Sequence, residues 1–94
     1  MTFAELRAEI DDRLAAEPRL QGGRRELEGE KSVWTRHGEI VTIGPSGTTG
    51  ILVEYRTDGR LVHRKIFAAS PMSIERIVIT SAEHLTSYAF HRTP

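Results

Sequence analysis

Residues 50–67, Gly-Ile-Leu-Val-Glu-Tyr-Arg-Thr-Asp-Gly-Arg-Leu-Val-His-Arg-Lys-Ile-Phe, constrain the fold more than any other stretch. Asp58-Gly59 lies between two runs of alternating hydrophobics, and Asp-Gly readily supplies the two positive-φ positions of a type I′ turn. The spacing therefore predicts a β-hairpin. A two-residue loop pairs Tyr55 with Val62, Val53 with Arg64 and Ile51 with Ile66, and on the other face Arg56 with Leu61, Glu54 with His63 and Leu52 with Lys65. A three-residue loop would set Tyr55 against Leu61, but Val53 against His63 and Ile51 against Lys65. The first register gathers more apolar side chains on one face and is preferred. Arg64 is its misfit, placed either at an edge or against a partner.

A helix is expected over residues 2–17. Thr2 and Glu5 form a capping box, and Phe3, Leu6, Ile10 and Leu14 fall on one stripe at helical spacing. Glu9 precedes Arg13 by one turn in the favourable orientation. Pro18 disfavours helical geometry at Glu17 and closes the element. The stripe needs a sheet or another subunit to cover it, and the opposite face reads as acidic and solvated.

Residues 18–30, punctuated by Pro18, Gly22, Gly23 and Gly29, read as a connector that Leu20 and Leu27 could hold down. Residues 31–80 read as an antiparallel sheet. Its strands are Ser32–His37, Gly38–Ile43, the two arms of the hairpin, and Ile74–Thr80 through Ile77, Val78 and Ile79. Residues 81–92 satisfy both patterns. Ser81 as N-cap and Leu85, Tyr88 and Ala89 on one face favour a short helix, while Thr86, Tyr88 and Phe90 alternate as in a strand.

The chain has 94 residues, which make one domain. A chain of this size buries roughly 60–65% of its unfolded surface, so its stability is marginal unless a partner adds to it. The absence of cysteine excludes a disulfide framework and thiolate metal sites, and fits a reducing compartment. No apolar run approaches the roughly 18 residues of a membrane span, and no basic-then-apolar signal segment opens the chain. The expected setting is the cytoplasm, or a virion assembled there. Formal net charge is +0, so global attraction to nucleic acid is not expected, although a local patch can still act.

Few residues carry recognisable chemistry. The Gly44–Gly50 turn region lacks the spacing and the lysine of a phosphate-binding loop, and Ser46 lacks the glycine two residues on that a nucleophile elbow needs. His37, His63, His84 and His91 include no pair at the i, i+4 spacing of a helical metal site, so no metal or cofactor is expected. No catalytic constellation assembles from the spacing. Arg56, Arg60, Arg64 and Lys65, with Tyr55 beside them, form the one dense basic group and the candidate partner-binding residues. Charge protection of a sheet edge is the plainer account of that group. Contact with nucleic-acid phosphates, with aromatic stacking, is the sharper one. Phe3, Leu6, Ile10 and Leu14 are the candidate interface helix. Trp34, Phe3, Tyr55, Phe67, Tyr88 and Phe90 read mainly as core, with one or two left over to mark an interface.

Gly38-Glu39-Ile40-Val41-Thr42-Ile43 followed by Gly47-Thr48-Thr49-Gly50-Ile51-Leu52-Val53 resembles the strand, glycine turn and strand of KOW-type, SH3-like barrels. The resemblance implies a barrel. Threonines stand where that family carries basic residues, so it does not carry over the family's nucleic-acid role. The opening Glu5-Leu6-Arg7-Ala8-Glu9-Ile10 through Leu14-Ala15-Ala16 is similar to the start of phage tail-completion proteins.

The expected fold is α+β: an N-terminal helix on a small twisted antiparallel sheet that can curl into an SH3-like partial barrel. The expected function is that of a non-catalytic protein-interaction or assembly subunit, binding a protein partner or its own copies, of the kind found among small phage or plasmid structural and accessory proteins. The alternative is a nucleic-acid-binding module that uses hairpin 51–67.

Overall fold

The computed structural model describes residues 1–87. Two helices, α1 (Phe3–Ala15) and α2 (Ile74–Thr86), accompany five strands: β1 (Arg24–Glu28), β2 (Lys31–Arg36), β3 (Glu39–Ser46), β4 (Gly50–Thr57) and β5 (Arg60–Ala68). The strands form one antiparallel sheet in the order β1-β2-β3-β4-β5, a meander in which every chain neighbour is a sheet neighbour. The α+β class stands. The sheet is open, with β1 and β5 as edges, so the closure implied by the SH3-like resemblance is not seen.

Tight turns explain the meander. Asp58 and Gly59 have φ of 51° and 84°, and His37 and Gly38 have 49° and 84°, the double positive pattern of a type I′ turn. Gly29, at φ 64°, opens the two-residue β1–β2 turn. Pro45 lies in β3, where a missing N–H would normally break a central strand. The β2 partner ends at Ile43, so one side of Pro45 is already unpaired.

One face of the sheet is covered by both helices. Leu6, Ile10 and Leu14 from α1 and Ile74, Ile77 and Leu85 from α2 meet Trp34, Val41, Ile43, Ile51, Val53, Tyr55 and Phe67 in a single core. The α1 capping box forms as expected: Glu5 N donates to Thr2 Oγ1 at 3.2 Å and Thr2 N donates to Glu5 Oε1 at 2.9 Å. The Glu9–Arg13 pair also forms, at 3.0 Å.

Asp11 departs from the expected wet face and is buried. Its carboxylate accepts from Trp34 Nε1 at 2.9 Å, Ser32 Oγ at 2.5 Å and Arg25 at 3.1 Å, which fastens α1 to β1 and β2. A lone buried carboxylate would be costly; three donors make it a clamp.

Three other expectations are corrected. Residues 24–28, read as connector, form strand β1. Residues 74–80, read as a strand, belong to α2, which continues through 81–86. Ser81 is therefore a fully buried residue inside that helix and not its N-cap. Ile74, Ile77, Ser81, Ala82 and Leu85 share the buried face at helical spacing, and this burial outweighs the strand preference of the run Ile77-Val78-Ile79-Thr80. Residues 88–92 of the ambiguous C-terminal stretch, with Tyr88, Phe90 and His91, lie outside the described residues.

The hairpin turn forms and Arg56 pairs with Leu61 as expected, but a bulge between Tyr55 and Arg56 shifts the rest of the register. Tyr55 pairs with His63, Glu54 with Arg64, Val53 with Lys65, Leu52 with Ile66 and Ile51 with Phe67. The extra residue sends Val62 and Ile66 out of the core, while Phe67 enters it.

Candidate functional site

The β4–β5 hairpin carries the expected partner-binding residues, and the structure divides them. Tyr55 is buried on the helix-covered face. Its hydroxyl is 2.9 Å from Thr80 Oγ1 on α2, and its ring stacks on His63 at 5.8 Å and meets the edge of His84 at 5.3 Å. Burial pushes the phenol pKa above its ordinary value, against the opposing hydrogen bond with Thr80. Arg56 and Arg64 lie on the opposite, uncovered face. There they flank Glu54, which is 3.7 Å from Arg56 and directly across the ladder from Arg64. Lys65 shares the covered face at the sheet edge, its ammonium 5.1 Å from the centre of the Phe67 ring. Arg60 sits beside the turn, paired with Thr57. Five side chains expected to act together thus fall on two faces.

The interface-helix residues have a different fate. Leu6, Ile10 and Leu14 lie wholly inside the molecule's own core, with Phe3 packed at its margin. Their apolar surface is spent on the chain's own sheet and α2.

A polar cluster that sequence spacing did not assemble sits where the hairpin meets α2. Glu39 is buried at the start of β3 and accepts from Thr57 Oγ1 at 2.6 Å. His84 Nε2 lies 3.2 Å from the same carboxylate and 2.8 Å from the Arg56 carbonyl. A carbonyl oxygen only accepts, so Nε2 carries the proton and is engaged as a donor. That nitrogen is not a free base, and the cluster's geometry is that of a clamp holding β3, β4 and α2 together. Glu39 and His84 are 45 positions apart in the chain, so only the fold brings them together. Shallow open grooves of about 360 and 520 Å³ border this region. Among the described residues no group of three or more His, Asp or Glu side chains could hold a metal ion. Among them, too, no helix is long and apolar enough to cross a membrane.

The remaining feature is the edge itself. Eight of the nine residues of β5 are exposed, Phe67 being the exception. Ile66 is 62% and Leu61 45% exposed beside the uncovered face that carries Val33, Ile40 and Leu52, and Val62, 54% exposed, borders the grooves next to His84 at the same edge. The other edge, β1, is exposed along its whole length. The register shift conceals this surface from a sequence reading, because an unbulged ladder turns Val62 and Ile66 inward.

Comparison of the chain with protein-family models, with curated proteins and with solved structures returned no match.

Proposed function

We propose that this chain is a non-catalytic protein-interaction or assembly subunit whose contact surface is the β5 edge and the uncovered sheet face beside it. The carrying observation is the exposure of Leu61, Val62 and Ile66 on a nine-residue edge strand without proline. Open edges with apolar side chains pair readily with other chains unless something covers them. The engaged Nε2 of His84 and the buried carboxylates of Asp11 and Glu39, occupied by structural hydrogen bonds, support a role without catalysis. The same reading accommodates a small structural or accessory component of a phage or plasmid assembly, as the similarity of the opening helix implies.

The nucleic-acid alternative draws on Arg56, Arg60, Arg64 and Lys65. It is weaker because Glu54 stands between two of these cations and Lys65 faces the other way. The deciding experiment compares wild type with Val62→Lys/Ile66→Lys. Capture of a protein partner from the native cell lysate, or of the chain's own copies, by wild type and its loss from the variant supports the proposal. Salt-dependent binding of an oligonucleotide, lost when Arg56, Arg60 and Arg64 are neutralised, would replace it with the alternative.

A further inference from the structure

The two open edges of the sheet differ in charge. β5 carries Arg60, His63, Arg64 and Lys65 and no acidic residue. β1 and its turn carry Glu26, Glu28 and Glu30. By count the two arginines of β1 balance Glu26 and Glu28, but Arg25 lies on the other face, 3.1 Å from the buried Asp11 that Arg7 also approaches, so Arg24, Glu26 and Glu28 share the uncovered face. Glu54, on β4, offsets part of the Arg64 charge.

We propose that copies of this chain associate head to tail, with β5 of one copy beside β1 of the next. This rests on the reading of β5 as an interaction surface and names its occupant. Pairing β5 with itself would bring two basic strands together, and antiparallel pairing of β1 with itself, although it matches Arg24 with Glu28, sets Glu26 against Glu26; like charges across a ladder are destabilising. The unlike pairing sets Glu26 beside Arg64, both on the uncovered face, with no like charges directly opposite. Geometry permits it. In an antiparallel meander the first and fifth strands run in the same direction, so a neighbour with its helices on the same side offers β1 as a parallel sixth strand. With Glu26 beside Arg64, Leu27, 52% exposed and on the helix-covered face of β1, falls beside Lys65, whose ammonium lies near the Phe67 ring. The junction uses a different surface on each partner, so it repeats into a ring or an open filament and does not stop at a dimer.

The test is sedimentation velocity of the full chain over a concentration series at low and at about 0.5 M salt. The expected result is species larger than a dimer that dissociate as salt rises. Arg60→Glu/Arg64→Glu and Glu26→Arg/Glu28→Arg should each weaken association roughly tenfold or more. An equimolar mixture of the two variants should restore it, since every junction in an alternating array is again between opposite charges. Leu27→Ser, which leaves every charge in place, reads the same junction if a charge variant fails to fold. A limiting dimer, or single variants that assemble like wild type, overturns the head-to-tail arrangement. A strictly monomeric wild type also overturns it. Persistent capture of a different protein that Val62→Lys/Ile66→Lys abolishes would then leave the broader interaction reading standing. Loss of that capture as well would remove both.

Discussion

Asp11 illustrates how one side chain can decide the placement of a helix. Its carboxylate serves Ser32, Trp34 and Arg25, while Arg7 approaches to 3.7 Å. Asp11→Ala would leave the Ser32 hydroxyl and the Trp34 N–H buried without an acceptor. The expected loss is about 2–4 kcal/mol, below the upper range for a broken buried pair because Arg25 is partly solvated. Urea unfolding measures it, and a change under about 0.5 kcal/mol would show the clamp to be incidental. Tyr55 gives a pH-dependent counterpart. Its phenol pKa is raised by burial, so the folded state favours the protonated form. The associated stability is intact below the ordinary phenol range near 10 and is lost as pH rises through the higher folded value. Between about pH 9 and 11 wild type should lose more stability than Tyr55→Phe. Equal alkaline slopes for the two proteins would contradict the assignment.

Among the elements, α2 is where packing and local preference disagree most. Ile77 is fully buried and Ile79 is 48% exposed, although a strand would place both on the same face. Ile77→Ala should therefore cost about 2–4 kcal/mol and Ile79→Ala under about 1 kcal/mol. Equal losses in thermal or urea unfolding would favour the strand. The same contrast explains what the amino-acid order revealed. Helix α1 announced itself through Thr2, Glu5 and a regular stripe, and Asp58-Gly59 announced its turn. β1 did not, because an exposed edge strand of the sequence Arg-Arg-Glu-Leu-Glu has no buried row and thus no apolar alternation. The bulge beside Tyr55 was equally hidden. It places His63 and Lys65 on the core side at the rim, where stacking on Tyr55 and contact with Phe67 substitute for apolar character. The Glu39–His84 contact depends on α2 lying over the hairpin, which a strand assignment for 74–80 removes from consideration.

At the largest scale, the described residues form a five-stranded open sheet with helices on one side, and among them two edges and one face are left to be accounted for. Stability is then uneven across the fold. β3 and β4 are paired on both sides, so their amides should exchange with solvent only in near-global unfolding, while those of β1 and β5 open more easily. Hydrogen exchange followed as a function of protein concentration tests stability and assembly together. If the unlike edges meet, segments 24–28 and 60–68 must gain protection together as concentration rises, because every junction uses one of each. A symmetric contact through β5 would protect 60–68 alone. Binding through the uncovered face would slow exchange at neither edge selectively. Added salt should reverse the paired gain while leaving β3 and β4 protected, since it weakens attraction between exposed charges and hardly affects a core of Leu, Ile and Val side chains. If β1 and β5 never change together, the opposed charges of the two edges serve solubility, and the contact surface narrows to the apolar residues of β5.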